Sequence, residues 1–184
     1  MATHNCIFCD QKPGKWTNEH INPQWLLEHL QLPKSDQLFQ GVASTTTGQL
    51  TQKPRIHSTH SFVQGSVCDD CNGGWMSRLE TAAKPILIDL MDGVRPLSSL
   101  TKAEARILSK WAAKTAYLHA WASPMRRPVQ LEHLHSLCGD TGHLADSVCV
   151  FAKQAAFVQP TSYVQTWFWP QVGNQRFDVN FEDC

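Results

Sequence analysis

The chain has 184 residues, 42% apolar and 17% charged, with 16 Lys and Arg against 16 Asp and Glu. That length suits one domain, or one small domain with a substantial extension. Zero net charge excludes attachment to nucleic acid through bulk positive potential, as basic tails use, but not an enzyme that meets a few phosphates through a metal. The start, Met1 to Cys6, is polar and unlike a secretory leader. No apolar run approaches the ~20 residues of a membrane span. A soluble, cytoplasmic protein with no membrane partner is the expectation.

Residues 1–24 are polar and turn-rich. Trp25, Leu26, Leu27 and Leu30 then suit a short amphipathic helix that Pro33 ends. Residues 34–66 read as two strands joined around Thr45-Thr46-Thr47-Gly48. From Gly73 to Ala83 the pattern is helical, and Pro85 is expected to restart a second helix that Gly93 ends. Thr101 and Glu104 form a capping box. The helix they open carries Ile107, Leu108, Trp111, Thr115, Leu118 and Trp121 as its inward stripe, with Lys102, Glu104, Lys110 and Lys114 expected outside. Another helix runs from about Val129 to Cys138 and stops at Gly139. Strand-like runs follow at Val148–Phe151, Phe157–Val158, Tyr163–Trp169 and Phe177–Phe181. The fold class expected is α+β, with residues 1–93 as one domain and 94–184 as an extension of helices and antiparallel strands.

Seven cysteines, an odd number, argue against a closed disulfide framework. Four of them form two pairs of equal spacing, Cys6-x-x-Cys9 and Cys68-x-x-Cys71. Each pair presents two thiolates from one tight turn, and together they make the tetrahedral S₄ set of structural zinc. Such a site is closed, so its metal holds the fold and does no chemistry. A thioredoxin-like redox pair would sit at a helix start after a strand, a pattern missing around Cys6. Cys138 and Cys149 read as buried small hydrophobes and Cys184 as a terminal thiol.

Between the pairs stands Thr17-Asn18-Glu19-His20-Ile21-Asn22-Pro23, and Asn72 directly follows Cys71. In these elements, over residues 6 to about 83, the chain resembles the HNH endonucleases of the ββα-metal fold. More narrowly, it is similar to their zinc-bearing bacterial and phage branch. There a first Cys-x-x-Cys precedes an acidic-His-aliphatic-x-Pro strand, and a second opens a helix followed directly by His or Asn. The run Gly73–Glu80 also resembles that branch's helix. Val63, with Gln64 beside it, stands where the family has a middle Asn that braces the loop of the base. The resemblance implies a metal-dependent endonuclease acting on DNA, or on RNA. It makes His20 the general base, and Glu19 and Asn72 the ligands of one catalytic Mg²⁺ or Mn²⁺. Those residue types suit that chemistry: imidazole is the natural base near neutral pH, and carboxylate and amide oxygens are hard ligands. Neighbours on a strand point to opposite faces, so Glu19 and His20 reach one site only if the strand ends or bends there.

Other residues have plainer expectations. Glu80 with Lys84 suits an ordinary surface pair more than a further metal or water partner, and His57 and His60 suit solvated strand histidines more than phosphate contacts. Trp75 suits core under the knuckle, and Trp167-Phe168-Trp169 core or an oligomer face more than a base-stacking platform. Arg126-Arg127 suits a phosphate-contact loop. The extension would serve packing, substrate recognition, or association with a second copy or a partner protein. The rival to the enzyme is a non-catalytic zinc-knuckle module that binds nucleic acid or protein.

Overall fold

The computed structural model describes residues 5–35, 37–40, 55–122 and 129–152. Its architecture is mixed: two small antiparallel sheets and a set of helices. The chain divides into compact units 1–154 and 155–184, so the boundary expected at 93/94 falls inside the first. The second unit lies outside the described residues, as do Thr45–Gly48, Arg126-Arg127, Trp167–Trp169, Cys184 and the strands expected at 157–158, 163–169 and 177–181. No helix among the described residues is long and apolar enough to cross a membrane.

Strand β1 (Trp16–His20) pairs antiparallel with β4 (Val63–Cys68). The register slips once: Thr17 faces Val67 but Glu19 faces Gln64, so Asn18 stands opposite Gly65 and Ser66. Such a bulge twists the pair and re-aims the residues beyond it. Pro23 then opens α1 (Gln24–His29), its carbonyl accepting from the amides of Leu26 and Leu27. A second ribbon, β2 (Gln37–Gln40) with β3 (Arg55–Ser58), fills the interval before β4. It includes the two strands expected between residues 34 and 66.

Beyond Cys68 the chain turns helical at once. Cys71–Met76 form a wide π-type turn, bent at Gly74 (φ −92°, ψ −112°), and α2 (Ser77–Met91) follows. Pro85 lies inside α2 and does not restart a helix. The carbonyl it leaves without a donor belongs to Thr81, and both residues are on the exposed face, where water can solvate it. Ala83 and Ile86, on either side of Pro85, are buried and hold the helix continuous. The stop comes at Gly93 (φ +69°), where Val94 N–H reaches Asp89 C=O and Gly93 N–H reaches Leu90 C=O, a complete Schellman motif.

The capping box forms as expected: Glu104 accepts from the Thr101 amide and hydroxyl, and Thr101 Oγ1 accepts from the Glu104 amide. It opens α3 (Lys102–Ala122), which packs against α2. Only Lys102 of the four expected outward residues is exposed. Glu104 and Lys110 are half-buried, and Lys114 is fully buried. Lys114 stands three residues after Trp111 and four before Leu118, which puts it on the inward face. Helix α4 (Leu131–Leu137) buries Leu134 and Leu137 and ends at Gly139 (φ +78°). Residues 148–151 form no strand; Phe151 is 91% exposed and Cys149 is exposed, not buried. Among the described residues no strand pairs with this apolar run.

Candidate metal centre and adjoining cleft

The first knuckle is a tight turn. Cys6 N–H donates to Gln11 C=O, Asp10 N–H donates back to Cys6 C=O, and Asp10 takes the left-handed conformation (φ +54°) that Asp tolerates. Ile7 N–H reaches Ser66 C=O, which docks this knuckle on β4. The second knuckle forms where β4 gives way to the helix. The four sulfurs of Cys6, Cys9, Cys68 and Cys71 all lie within 4.8 Å of one another. Cys9 and Cys68 are 3.7 Å apart, too far for a disulfide and close to the ~3.8 Å edge of a tetrahedron with Zn–S bonds of about 2.3 Å. Backbone amides back the sulfurs, Cys68 N–H to Cys6 Sγ and Cys71 N–H to Cys68 Sγ, both at 3.4 Å. The hydrogen bond with Cys71 draws the Cys6 thiol down to about 4 and pushes Cys71 upward, while burial pushes Cys9 up to about 11. Four cysteine sulfurs this close together form a set compatible with a zinc site. Trp75 is buried beneath, as expected, with its ring edge-on to Phe8 at 5.4 Å.

Beside this cluster lies a cleft of about 230 Å³ lined by Glu19, His20, Asn72, Trp25, Met76 and Glu80 among others. The residues singled out from sequence therefore meet. Thr17 and Glu19 face inward on β1, and His20, the last residue of the strand, is exposed at its edge. Glu19 and His20, neighbours on one strand, both line the cleft, His20 from the last position of the strand. Asn72 comes from the π-type turn opposite and donates from Nδ2 to Thr17 Oγ1 at 3.0 Å. The Thr17 hydroxyl spends its single proton on Val67 C=O at 3.1 Å, so it can only accept from Asn72. Asn72 Oδ1 is thereby fixed as the outward atom of its amide. Val63 pairs with His20 across the sheet.

Glu19 Oε1 accepts from Lys114 Nζ at 3.3 Å, and its Oε2 has no hydrogen bond among the described residues. Burial raises the Glu19 carboxyl above its ordinary range, with the Lys114 charge working against that rise. Glu19, with one carboxylate oxygen unbonded among the described residues, Asn72, with its amide oriented by Thr17, and the imidazole of His20 thus line one cleft.

Sequence reasoning missed two members of this site. Glu80 makes no surface pair with Lys84, whose ammonium lies 5.8 Å from the centre of the Trp25 ring. Instead Glu80 accepts from the indoles of Trp25 (2.9 Å) and Trp111 (2.8 Å) and from Lys114 Nζ (2.6 Å). The signal for Lys114 was its position on the apolar stripe of α3. Glu80 had none, because its donors come from distant segments. His57 and His60 are also not simple solvated histidines. The His57 ring lies tilted against Phe62 with centroids 4.7 Å apart, its Nε2 buried with no hydrogen-bond partner among the described residues, and His60 Nε2 lies 3.0 Å from Leu32 C=O. Compared with protein-family models, with curated proteins and with solved structures, the chain gives no match.

Proposed function

We propose that this chain is a zinc-stabilised, metal-dependent endonuclease of the HNH type, hydrolysing DNA phosphodiester bonds. One observation carries the reading: Glu19, His20 and Asn72, from two distant segments, line a single cleft beside the four-cysteine cluster. The pairing of β1 with β4 followed by the helix after Cys71 supports a ββα-metal core within residues 1–93. Residues 94–184 would then serve packing and substrate selection.

In this reading the four cysteines hold zinc as a closed structural site. Glu19 and Asn72 would hold Mg²⁺ or Mn²⁺. When bound, that ion supplies positive charge to the scissile phosphate and the leaving oxygen. His20, at the exposed edge of the strand, takes a proton from the attacking water. Glu19 anchors its ligand oxygen from the half-buried face. Thr17 keeps the Asn72 amide from flipping.

Plasmid nicking with Mg²⁺ or Mn²⁺ tests this. Wild type cuts, and His20→Ala loses about 10²–10⁴-fold, the usual contribution of a positioned base, with zinc content unchanged. Excess divalent metal partly restores Glu19→Ala and Asn72→Ala but not His20→Ala, because a missing base is not a missing ligand. Asn72→Ala must retain its zinc, since Asn72 adjoins Cys71. Wild type that cuts neither DNA nor RNA with either metal, or His20→Ala that cuts as fast as wild type, sinks the enzyme. A non-catalytic zinc-knuckle module then takes its place.

A further inference from the structure

Lys114 is the one polar or charged residue that is buried among the described residues, with none of its surface exposed. It comes from α3, outside the segment that resembles the nuclease family. Burying an ammonium is costly unless it is paired. Here Nζ meets two carboxylates, Glu19 at 3.3 Å and Glu80 at 2.6 Å. Glu80 is itself held by two indole N–H groups, so it cannot swing freely. Lys114 is thus clamped to α2 and in turn holds one oxygen of Glu19, leaving the other for the cleft.

We propose that Lys114 is the internal counter-ion of the cleft, a positioning residue that fixes Glu19 and sets how tightly the cleft takes a divalent cation. This rests on the reading of the cleft as a divalent-metal site. The ligand Glu19 together with Glu80 and Lys114 carries a net charge near −1 at the cleft. Removing the ammonium leaves two negative charges, and a dication a few ångström away feels that change by well over a factor of ten in affinity. The same removal frees Glu19 from its placement. Lys114 therefore exchanges metal affinity for geometry.

Mn²⁺ binding to the zinc-loaded full chain, read by the paramagnetic signal of free Mn²⁺ at about pH 8, where carboxylates are ordinarily ionised, tests this without any activity assay. We expect Lys114→Met to bind Mn²⁺ about tenfold tighter or more than wild type, Lys114→Arg to match wild type within about threefold, and Glu80→Gln to bind more weakly. Opposite signs for removing a positive and a negative charge from one cluster are not what structural damage produces. In a nicking assay at saturating Mn²⁺, Lys114→Met turns over more slowly although it binds metal more tightly, and Lys114→Arg recovers most of the rate. Equal or weaker Mn²⁺ binding by folded Lys114→Met overturns the proposal and leaves the metal-site reading standing. If Lys114→Met does not fold, Glu80→Gln decides, and unchanged or tighter binding there overturns it. No Mn²⁺ binding by wild type overturns the metal-site reading and this proposal together.

Discussion

A single hydroxyl proton orients the amide proposed to hold the catalytic ion. Because Thr17 donates to Val67 C=O, its oxygen is left only to accept, and Asn72 must present Nδ2 to it. Thr17→Val keeps the shape and removes that partner. The amide then turns freely, and the Mn²⁺ needed for half-maximal nicking should rise about 2–10-fold, the worth of one hydrogen bond, while Thr17→Ser stays near wild type. An unchanged Mn²⁺ requirement in Thr17→Val would show that the amide is held by something else. His119 gives a second residue-scale prediction. It lies 3.2 Å from Asn22 Oδ1 and beside Phe62, and burial pushes it down to about 4. The native state thus keeps this imidazole neutral where the unfolded chain takes up a proton. Its contribution is intact above the ordinary imidazole pKa of about 6.5 and is lost as pH falls from there toward about 4, by at most ~3 kcal/mol. Urea unfolding across that window should show a steeper acid loss in wild type than in His119→Gln. Parallel curves for the two proteins would contradict it.

At the scale of elements, what was legible in the sequence was what local chemistry decides alone. Thr101 and Glu104 announce α3, and Gly93 and Gly139 stop α2 and α4, because a cap or a left-handed turn needs only neighbours in the chain. The four-cysteine cluster was legible from its paired spacing, whereas Glu19, His20 and Asn72 were singled out only through a family resemblance and now line one cleft. What local rules missed was settled across the fold. Pro85 ordinarily begins a helix, yet packing of Ala83 and Ile86 carries α2 through it while the orphaned Thr81 carbonyl faces water. Lys114 was read by its charge and placed outside, although partners on β1 and α2 satisfy it within. Cys149 and Phe151 lie in an apolar, strand-like run that joins no strand among the described residues. The Pro85 case is testable. Pro85→Ala restores an N–H to the Thr81 carbonyl in an exposed stretch of helix and should stabilise the chain by roughly 1–3 kcal/mol in urea unfolding, less whatever proline gained by stiffening the unfolded chain. A destabilised Pro85→Ala would mean that the ring itself packs against something essential.

For the whole molecule, the two knuckles hold together segments that have few other reasons to meet. The first is tied to β4 by Ile7 N–H to Ser66 C=O, and the second is the junction of β4 with the helix. From that junction β1 presents Glu19 and His20, the π-type turn presents Asn72, and α2 presents Glu80 to the lysine of α3. Zinc in a four-thiolate site is worth about 10–16 kcal/mol in small peptides, as much as the ~5–15 kcal/mol net stability of an ordinary domain. Removing it should therefore undo the pairing of β1 with β4 and the cleft with it, and leave Lys114 of α3 with Glu80 alone of its two carboxylates. Protein purified without chelator should contain one zinc per chain. Stripping it should abolish cooperative unfolding of the first half, and Cys68→Ser should lower Tm by more than ~10 °C or fail to fold. Loss of Mn²⁺ binding at the cleft should accompany loss of zinc, because the ligands of one site are set by the frame of the other. Zinc-free protein that melts at the same temperature as the loaded chain, or Cys68→Ser with an unchanged Tm, would remove the metal from this account and leave the four sulfurs as ordinary core.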